Sequence, residues 1–424
     1  MSDDARAAAQ WPERFVYVCT AGGGANVNVA PMLHAGAGRV AGLVVLVPVT
    51  DQHDPTPGDV SHAILPAERL EAYARRVLGL PAERIRRREG HPDLLGDWTG
   101  ALREAAKLAR ALDAEIVFNL SGGRKPATLG AMLGQAGAGE VPVSLITVGA
   151  SSFVVRLLRV AGDGTLDERP LPTAARASLD DYLASYGYRE INRDARLAWT
   201  GWMQSQEAAI MAIRKATWPQ RQTAFRAVYR ELAKADRTPV PIEIGLAEDA
   251  HSALAPIVSA LDGATLTDFR LVISSDEARR FLAGQWLEAL ILHDVEAVFS
   301  DRNDVQIFSN VEIADGVEAG RNTAVAQTEF DLVIMGDDRL DLVQAKAGTD
   351  IRGLHDAITK LGAYRTRLSG PGGAAWLVTP LVTRKTLEEK DLIAHARSEG
   401  VRIHNNDGAV RRLVSDLAAR YPRR

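Results

Sequence analysis

Residues 329–348, EFDLVIMGDDRLDLVQAKAG, carry side chains that can hold a hard metal ion. Asp331 stands early in one apolar run, and Gln344 and Lys346 lie in the next run with one residue between them. Alternate residues of a strand point to the same face, so Gln344 and Lys346 are expected to lie side by side. Hydrolysis of a phosphodiester needs oxygen ligands for Mg²⁺ or Mn²⁺, a nearby cation and an activated water. The spacing therefore predicts a metal-dependent site in which Lys346 orients the water or stabilises the charged phosphorus centre.

Two glutamates extend this candidate site. Glu288 projects from an amphipathic segment, residues 279–295, and Glu329 lies two positions before Asp331. The expected metal ligands are Glu288, Asp331 and Gln344. Glutamine ligates through a neutral carbonyl, so we expect weaker metal affinity than a third carboxylate would give. For this pattern alone, an ordinary exposed hairpin without catalytic function is the alternative.

Two other stretches, near residues 20 and 120, predict anion-binding turns after apolar runs. Glycine lets backbone N–H groups approach a ligand, and cations neutralise its charge. The candidate ligand-binding residues are Thr20, Gly22, Gly23, Gly24, Asn26 and Asn28 in the first turn, and Asn119, Ser121, Gly122, Gly123, Arg124 and Lys125 in the second. Neither turn contains the Walker A motif of ATP-binding proteins. The first turn also departs from the G-x-G-x-x-G motif of dinucleotide-binding proteins, because Val27 stands where its last glycine should be. These departures argue against ATP hydrolysis and against a dinucleotide cofactor.

The elements that would position the two turns alternate along the first 155 residues. The predicted strands are residues 14–20, 42–50, 115–120 and 141–149, and the predicted helices are residues 66–80 and 97–112. This alternation predicts a doubly wound parallel sheet, in which ligands bind at the carboxyl ends of strands. A hairpin over residues 152–173 and a helix over residues 178–188 follow, whereas Arg86, Arg87 and Arg88 are interpreted as a solvated run.

The remaining chain has a different pattern. Residues 197–235 are predicted to be helical with a break at Trp218-Pro219, and residues 237–245 form a proline-containing connector. The candidate metal site lies in an α/β segment with predicted strands 305–313, 329–337, 339–348 and 373–382 and helices 279–295 and 354–368. We therefore divide the chain into residues 1–190, a helical connector over residues 191–272, and residues 273–424.

Composition limits the class of protein. The chain has 424 residues, 46% of them hydrophobic, and a net charge of −4, so any contact with nucleic acid must use a local basic patch. The single cysteine, Cys19, excludes an internal disulfide framework and a multi-cysteine zinc site. The polar N-terminus and apolar runs of at most about ten residues predict no signal peptide and no membrane span. A cytoplasmic protein is expected.

The order Asn119, Ser121 and Lys125 after a strand resembles the signature of CRISPR-associated Rossmann fold (CARF) domains. The resemblance covers roughly residues 12–190 and includes the glycine-rich turn after the first strand. It implies a homodimer that binds a cyclic oligoadenylate, first of all cyclic tetra-adenylate, across the dimer axis with both turns. The anion would then be the phosphate ring of this ligand.

The order of Glu288, Asp331 and Gln344-Ala345-Lys346, with Lys360 as a further candidate, resembles the PD-(D/E)xK nucleases over residues 279–390. The similarity is greatest to those fused to CARF domains in type III CRISPR immunity. That family has Asp or Glu where Gln344 stands.

Together the two resemblances imply an α/β protein with a Rossmann-like CARF domain, a helical connector and a restriction-endonuclease-like domain. Its expected activity is cleavage of DNA or RNA with Mg²⁺ or Mn²⁺ after a cyclic oligoadenylate binds. Two alternatives remain at this point. One is a ligand-sensing regulator whose nuclease fold is inactive, and the other is a ring nuclease that degrades its own activator.

Overall fold

The computed structural model describes most of the chain. The described residues are 10–21, 25–48, 61–90, 95–121, 141–148, 155–160, 166–171, 178–234, 239–315, 328–336, 339–369 and 373–422. Several predicted ligand-binding residues lie outside these ranges, namely Gly22, Gly23, Gly24, Gly122, Gly123, Arg124 and Lys125. Asn26 lies in a described helix, but its side chain is outside the description.

The first part of the chain forms a seven-stranded sheet. Its strands are β1 Phe15–Thr20, β2 Val40–Pro48, β3 Ile85–Gly90, β4 Glu115–Asn119, β5 Val143–Val148, β6 Val155–Val160 and β7 Leu166–Pro170. Their order is β3-β2-β1-β4-β5-β6-β7, with parallel pairing from β3 to β5 and an antiparallel hairpin of β6 and β7 at the far edge. The predicted doubly wound sheet and its hairpin are both confirmed.

Helices cover both faces of this sheet because its central strands are apolar on both sides. The helices are α1 Ala25–Ala35, α2 Ser61–Arg76 and α3 Leu95–Leu112. Residues of α1 and α2 pack on one face and residues of α3 on the other, which gives two separate cores.

The arginine run at residues 86–88 forms the middle of edge strand β3, an element that was not predicted from the sequence. Only the two end residues of this strand, Ile85 and Gly90, are buried, so the strand lacks the apolar alternation that marks a half-buried strand. Arg87 bonds Glu71 of α2 at 2.7 Å, and β3 pairs in parallel with β2.

The middle of the chain contains more than helices. It comprises α4 Leu179–Ser185, β8 Tyr188–Glu190, α5 Arg193–Ser205, α6 Glu207–Lys215, α7 Trp218–Lys234, β9 Ile242–Gly245, α8 Glu248–Val258, β10 Ala264–Thr267 and β11 Arg270–Ile273. The predicted break at Trp218-Pro219 is confirmed, because α7 begins there. The small sheet with order β10-β11-β9 was not predicted.

The last part of the chain forms a six-stranded sheet with helices on both faces. Its elements are α9 Asp276–Arg280, α10 Trp286–Phe299, β12 Val305–Asp315, β13 Thr328–Gly336, β14 Arg339–Ala345, α11 Ile351–Tyr364, β15 Ala375–Thr379, α12 Arg384–Glu389, α13 Leu392–Ser398, β16 Val401–Asn405 and α14 Ala409–Arg420. The strand order is β16-β15-β14-β13-β12-β8. Pairing is antiparallel from β12 to β14 and parallel from β14 to β16. The carboxyl ends of β14, β15 and β16 therefore share one edge.

Strand β8 joins this second sheet although it directly follows the first part of the chain. It pairs antiparallel with β12, where Ile313 lies opposite Glu190. Helix α4, just before it, contributes Tyr182 and Tyr186 to the core beneath the second sheet. The Tyr182 hydroxyl donates a hydrogen bond to the carbonyl of Leu368 at 2.9 Å. Residues 179–190 thus contact both parts of the chain, because α4 also packs against α1 and α2, and the domain boundary at residue 190 stays a prediction.

Among the residues that the structure describes, no helix combines the length and the apolar character needed to span a bilayer.

Candidate active site

Asp331 and Gln344 meet on neighbouring strands of the second sheet. The antiparallel pairing of β13 with β14 sets Leu332 opposite Val343, which places the two polar residues next to each other. The Gln344 Nε2 donates a hydrogen bond to Asp331 Oδ2 at 2.6 Å, and the backbone N–H of Ala345 donates to the same oxygen at 2.5 Å. Within the described part of the chain, Asp331 Oδ1 accepts no such bond. This arrangement fixes the carboxylate and leaves one oxygen for a cation.

Glu288 shares the electrostatic environment of Asp331. Burial raises the pKa of Asp331 to about 6, although the Lys346 ammonium and the two hydrogen bonds act in the opposite direction. Burial first, and then the charges of Asp331 and Glu329, raise the pKa of Glu288 well above its ordinary value. In a buried site, two neighbouring carboxylates each make ionisation of the other less favourable. A bound divalent cation stabilises the ionised form of both. The expected grouping of Glu288, Asp331, Gln344 and Lys346 is therefore present.

A π-helical turn positions Glu288. Residues Phe281–Gln285 form this turn between α9 and α10, and Gly284 within it has φ 157°. A Cβ built on Gly284 would lie 3.6 Å from the Cβ of Ala347, just beyond the end of β14. Such turns frequently occur at functional sites. Here the turn brings the first residues of α10 next to the strand that carries Gln344.

A cavity of about 400 Å³ opens beside these residues. Its lining includes Glu329, Gln344 and Lys346 from the sheet, Lys360 from α11 and Tyr229 from α7. Partial burial and the carboxylate of Glu312 raise the pKa of Glu329, whereas Lys346 and Lys360 lower it. Both lysines thus face the carboxylates, which is the charge arrangement that an anionic phosphate requires.

Tyr229 is a lining residue that sequence reasoning missed, as are Asp350 and Asp356. It lies on α7, which was interpreted as a core helix of the connector. A Cβ built on Gly348 would lie 2.6 Å from the Tyr229 hydroxyl oxygen, so this glycine leaves room for the ring next to the end of β14. A single aromatic residue in an amphipathic helix carries no sequence signal for such a position.

The donor set fits a small hard cation. No three His, Cys, Asp or Glu side chains in the described ranges come together as a metal site, so the candidate third ligand is the amide oxygen of Gln344. Mg²⁺ typically retains several waters and uses one or two carboxylates from the protein, which matches Asp331 and Glu288. The missing third carboxylate lowers the expected affinity without removing the site.

The structure also places four residues of the two anion turns. They lie at the carboxyl ends of β1 and β4, where the strand order of the first sheet reverses, and such switch points bind ligands in open α/β sheets. Asn119 is fully buried, and its Nδ2 donates to the Tyr17 hydroxyl at 2.9 Å and to Asn28 Oδ1 at 3.2 Å. Asn28 Nδ2 in turn donates to the Thr20 carbonyl at 2.8 Å. These two amides hold the turns against each other.

The hydroxyl groups at the switch point differ in their partners. Ser121 Oγ accepts a hydrogen bond from the backbone N–H of Val148 at 2.5 Å, and the Ser121 N–H donates to Asn119 Oδ1 at 3.0 Å. The buried Thr20 Oγ1 has no partner among the described residues. Ser121 therefore braces the second turn, and Thr20 retains hydrogen-bonding capacity for a ligand.

Without metal, replacing Asp331 with asparagine is expected to stabilise the protein at neutral pH. Between pH 3.8 and about 6 the folded protein binds a proton that the unfolded chain releases, so stability falls as pH rises through this window. The asparagine side chain would keep the acceptor for both hydrogen bonds but carry no charge. The free energy of unfolding should rise by up to about 3 kcal/mol at neutral pH. Chemical denaturation of the variant and the wild-type protein in EDTA measures this difference in the free energy of unfolding. A difference of the same size at about pH 4 would contradict this explanation.

Gln344→Glu is expected to tighten metal binding but to destabilise the metal-free protein. It replaces the amide that donates to Asp331 at 2.6 Å with a second carboxylate at the same place. Repulsion between the two carboxylates is relieved only by a cation or a proton. Calorimetric Mn²⁺ titration should show about tenfold higher affinity, and the thermal midpoint in EDTA should fall. An unchanged Mn²⁺ affinity would mean that residue 344 is not a ligand.

Comparison with known proteins connects this site to a family. Residues 275–421, which include all four predicted catalytic residues, match the family model described as Card1-like, endonuclease domain. No curated protein sequence matches the chain. Two solved structures cover nearly all of it. Protein VC1899 from Vibrio cholerae has a TM-score of 0.65 at 19% identity and covers 96% of this chain and 98% of its own.

The second structure is Can2 from Sulfobacillus thermosulfidooxidans, solved in complex with cyclic tetra-adenylate. It has a TM-score of 0.61 at 16% identity and covers 97% of this chain and 100% of its own. Identities this low demonstrate a shared fold. The chain therefore shares the fold of these two proteins over nearly its whole length, and residues 275–421 are similar to the Card1-like endonuclease domain.

Proposed function

We propose that this protein is a nuclease of type III CRISPR antiviral defence that uses a divalent metal and is activated by a cyclic oligoadenylate. The observation that carries the proposal is the grouping of Glu288, Asp331, Gln344 and Lys346 inside the segment that matches the endonuclease family. The substrate is DNA or RNA. The complex of Can2 with cyclic tetra-adenylate supports that ring as the first activator to test.

The residues of the site have separate roles in phosphodiester hydrolysis. A divalent cation supplies positive charge at the phosphate and lowers the pKa of water. Asp331 and Glu288 hold it with their carboxylates, and Gln344 fixes the Asp331 carboxylate while offering its carbonyl oxygen. Lys346 and Lys360 face the cavity from two sides, where their ammonium groups hold the scissile phosphate and stabilise charge in the transition state.

The activator site lies at the other end of the chain. A homodimer with two copies of the β1 and β4 strand ends at its axis presents the same donors twice to a ring with repeated phosphates. The unpartnered Thr20 hydroxyl supports a ligand at this place. Arg124 and Lys125, from the sequence motif, supply the positive charge.

A direct contact links the sensor sheet to the nuclease sheet. The guanidinium of Arg69 on α2 lies over the ring of Tyr188 on β8, 5.7 Å from its centre. Strand β8 pairs with β12, and β12 pairs with β13, which carries Asp331. A shift of α2 on ligand binding would therefore displace β8, and the hydrogen-bonded strands β12 and β13 would transmit this displacement to Asp331.

Arg69→Ala is expected to weaken activation without weakening the ligand site. Loss of this cation–π contact should reduce the ratio of activated to basal cleavage by about fivefold. The basal cleavage rate and the intrinsic affinity of the activator site for the cyclic ligand should stay within about twofold of the wild-type values. Arg75→Ala, on the exposed side of the same helix, is the matched control. Equal activation ratios for the two variants would exclude this route.

The test of the proposal is a cleavage assay with plasmid, single-stranded DNA and RNA. Each is incubated with Mn²⁺ or Mg²⁺, with and without cyclic tri-, tetra- or hexa-adenylate. Cleavage that requires both a metal and one ring supports the proposal. Ligand binding without any cleavage indicates a sensor with an inactive nuclease fold. Chromatography of the cyclic ligand after incubation detects a ring nuclease.

A further inference from the structure

A second cavity lies at the same edge of the nuclease sheet as the active site. Its volume is about 470 Å³, within the range of nucleotide-sized ligand sites. Pro380 and Asn406 border it immediately after β15 and β16. Since the catalytic strand β14 ends at this edge too, the two cavities are neighbours.

Two helices take part in both sites. Helix α10 carries Glu288 into the active site, and its Trp286 and Leu290 line the second cavity. Helix α7 contributes Tyr229 to the first cavity and Arg221 to the second. Eight residues of helix span about 12 Å, and two strand spacings span about 10 Å. The sites are thus separated by a few nucleotides, at about 3.4 Å per nucleotide in a duplex strand and more in an extended one.

The second cavity combines an apolar wall with cations at its mouth. Trp286, Leu287 and Leu290 are buried beneath it, and Ala297, Val298 and Val414 present the apolar surface against which a base can pack. Three arginines line the cavity against two aspartates, and one of these acids, Asp294, is held by Arg214 at 3.5 Å.

Arg221 and Arg411 are the cations available to a phosphate. The Arg221 Nε donates to the Ala216 carbonyl at 3.0 Å, and its Nη2 donates to the Arg214 carbonyl at 3.1 Å. Partial burial lowers the pKa of the Arg221 guanidinium, whereas the charges of Asp407 and Asp294 act in the opposite direction. In the described residues no carboxylate lies within ion-pair distance of Arg221. Arg411 is exposed on the first turn of α14. A half-buried guanidinium whose hydrogen bonds go to carbonyls can still bind a phosphate oxygen as a closer anionic partner.

We propose that this cavity binds a nucleotide of the substrate strand that flanks the scissile phosphate, with its base against Val298 and Val414 and its phosphate at Arg221 and Arg411. This inference rests on the proposed nuclease function. It assigns to the chain a subsite that fixes the path of the strand across the carboxyl ends of β14, β15 and β16. The site recognises the backbone and one stacked base, so binding depends on strand length rather than on sequence.

The experiment measures oligonucleotide affinity by fluorescence anisotropy in the Asp331→Asn background, in EDTA and with saturating cyclic tetra-adenylate. Arg411→Glu is expected to weaken binding of a single-stranded octanucleotide by about tenfold and to lower the slope of affinity against salt by about 1. A dinucleotide is long enough to fill only the active site. Its affinity should therefore be the same with and without the Arg411→Glu substitution. Lys390→Glu, with the same charge change at an exposed residue that lines neither cavity, is the matched control.

A second variant separates base stacking from charge. Val414→Phe narrows the cavity without changing the net charge, and it should also weaken the octanucleotide but not the dinucleotide. Equal effects of Arg411→Glu and Lys390→Glu, or full octanucleotide affinity in Val414→Phe, would overturn the subsite. A separate result would contradict the nuclease function itself. In that case the wild-type protein would cleave none of the substrates in the presence of metal and activator.

Discussion

Asp331→Asn is expected to reduce cleavage by at least about 10³-fold while leaving the fold and the activator site intact. The substitution keeps an oxygen that accepts from Gln344 and from the backbone of Ala345, so the strand pair is undisturbed. It removes the charge that holds the cation. Single-turnover cleavage in Mn²⁺ and calorimetry with cyclic tetra-adenylate measure the two properties independently.

The matched control for this variant is Asp356→Asn. Asp356 is exposed on α11 and lines the cavity together with Gln344 and Lys346, yet it contributes to neither of the shifted pKa values at Glu288 and Asp331. Its substitution should change the rate by less than about threefold. Wild-type cleavage by Asp331→Asn in Mn²⁺ would contradict the assignment of this site.

Saturating cyclic tetra-adenylate is expected to raise the cleavage rate by about 100-fold, if about 1% of the dimers are in the active form without it. Moving the population to about 99% active requires about 10⁴-fold tighter binding to the active form, or roughly 5.5 kcal/mol. A ring bridging two subunits supplies this through several charge-assisted hydrogen bonds, each typically worth about 1.5–3 kcal/mol. A ligand with equal affinity for the two forms would not activate.

Reciprocal coupling gives the measurement. With about 1% of the dimers competent, saturating nucleic acid should tighten the ring by up to about 100-fold, and the ring should tighten nucleic acid by the same factor. Calorimetry of cyclic tetra-adenylate binding to Asp331→Asn, with and without single-stranded DNA or RNA, tests this. Identical affinities would mean that ligand binding is uncoupled from the nuclease state.

The strands of the candidate site were predictable because the polar residues follow the two-residue period of a strand. Gln344 lies on β14 and Lys346 follows directly after its end, and Asp331 stands early in the apolar run before it. The doubly wound sheet was predictable for a similar reason, since β1, β2, β4 and β5 are apolar runs and the amphipathic segments 66–80 and 97–112 lie between β2 and β4. Local pattern alone determines these elements.

Other features depend on contacts between distant residues. Asn119 fits a ligand motif in the sequence, but its amide is fully buried and bonds Tyr17, 102 positions away. Tyr229 reaches the active-site cavity only because α7 packs next to the end of β14. Strand β8 has three residues, too few for a periodic signal, and its pairing with β12 is set by the tertiary fold.

The placement of β8 also bears on how sensor and effector modules have been joined. A sensor exchanged at residue 190 would remove an edge strand and the tyrosines of α4 from the nuclease core, leaving β12 with an open edge. A recombination junction ahead of Ser178 keeps both with the nuclease sheet. Any N-terminal domain joined there would have to pack against α4 as α1 and α2 do, and to offer a partner for Tyr188 where α2 presents Arg69.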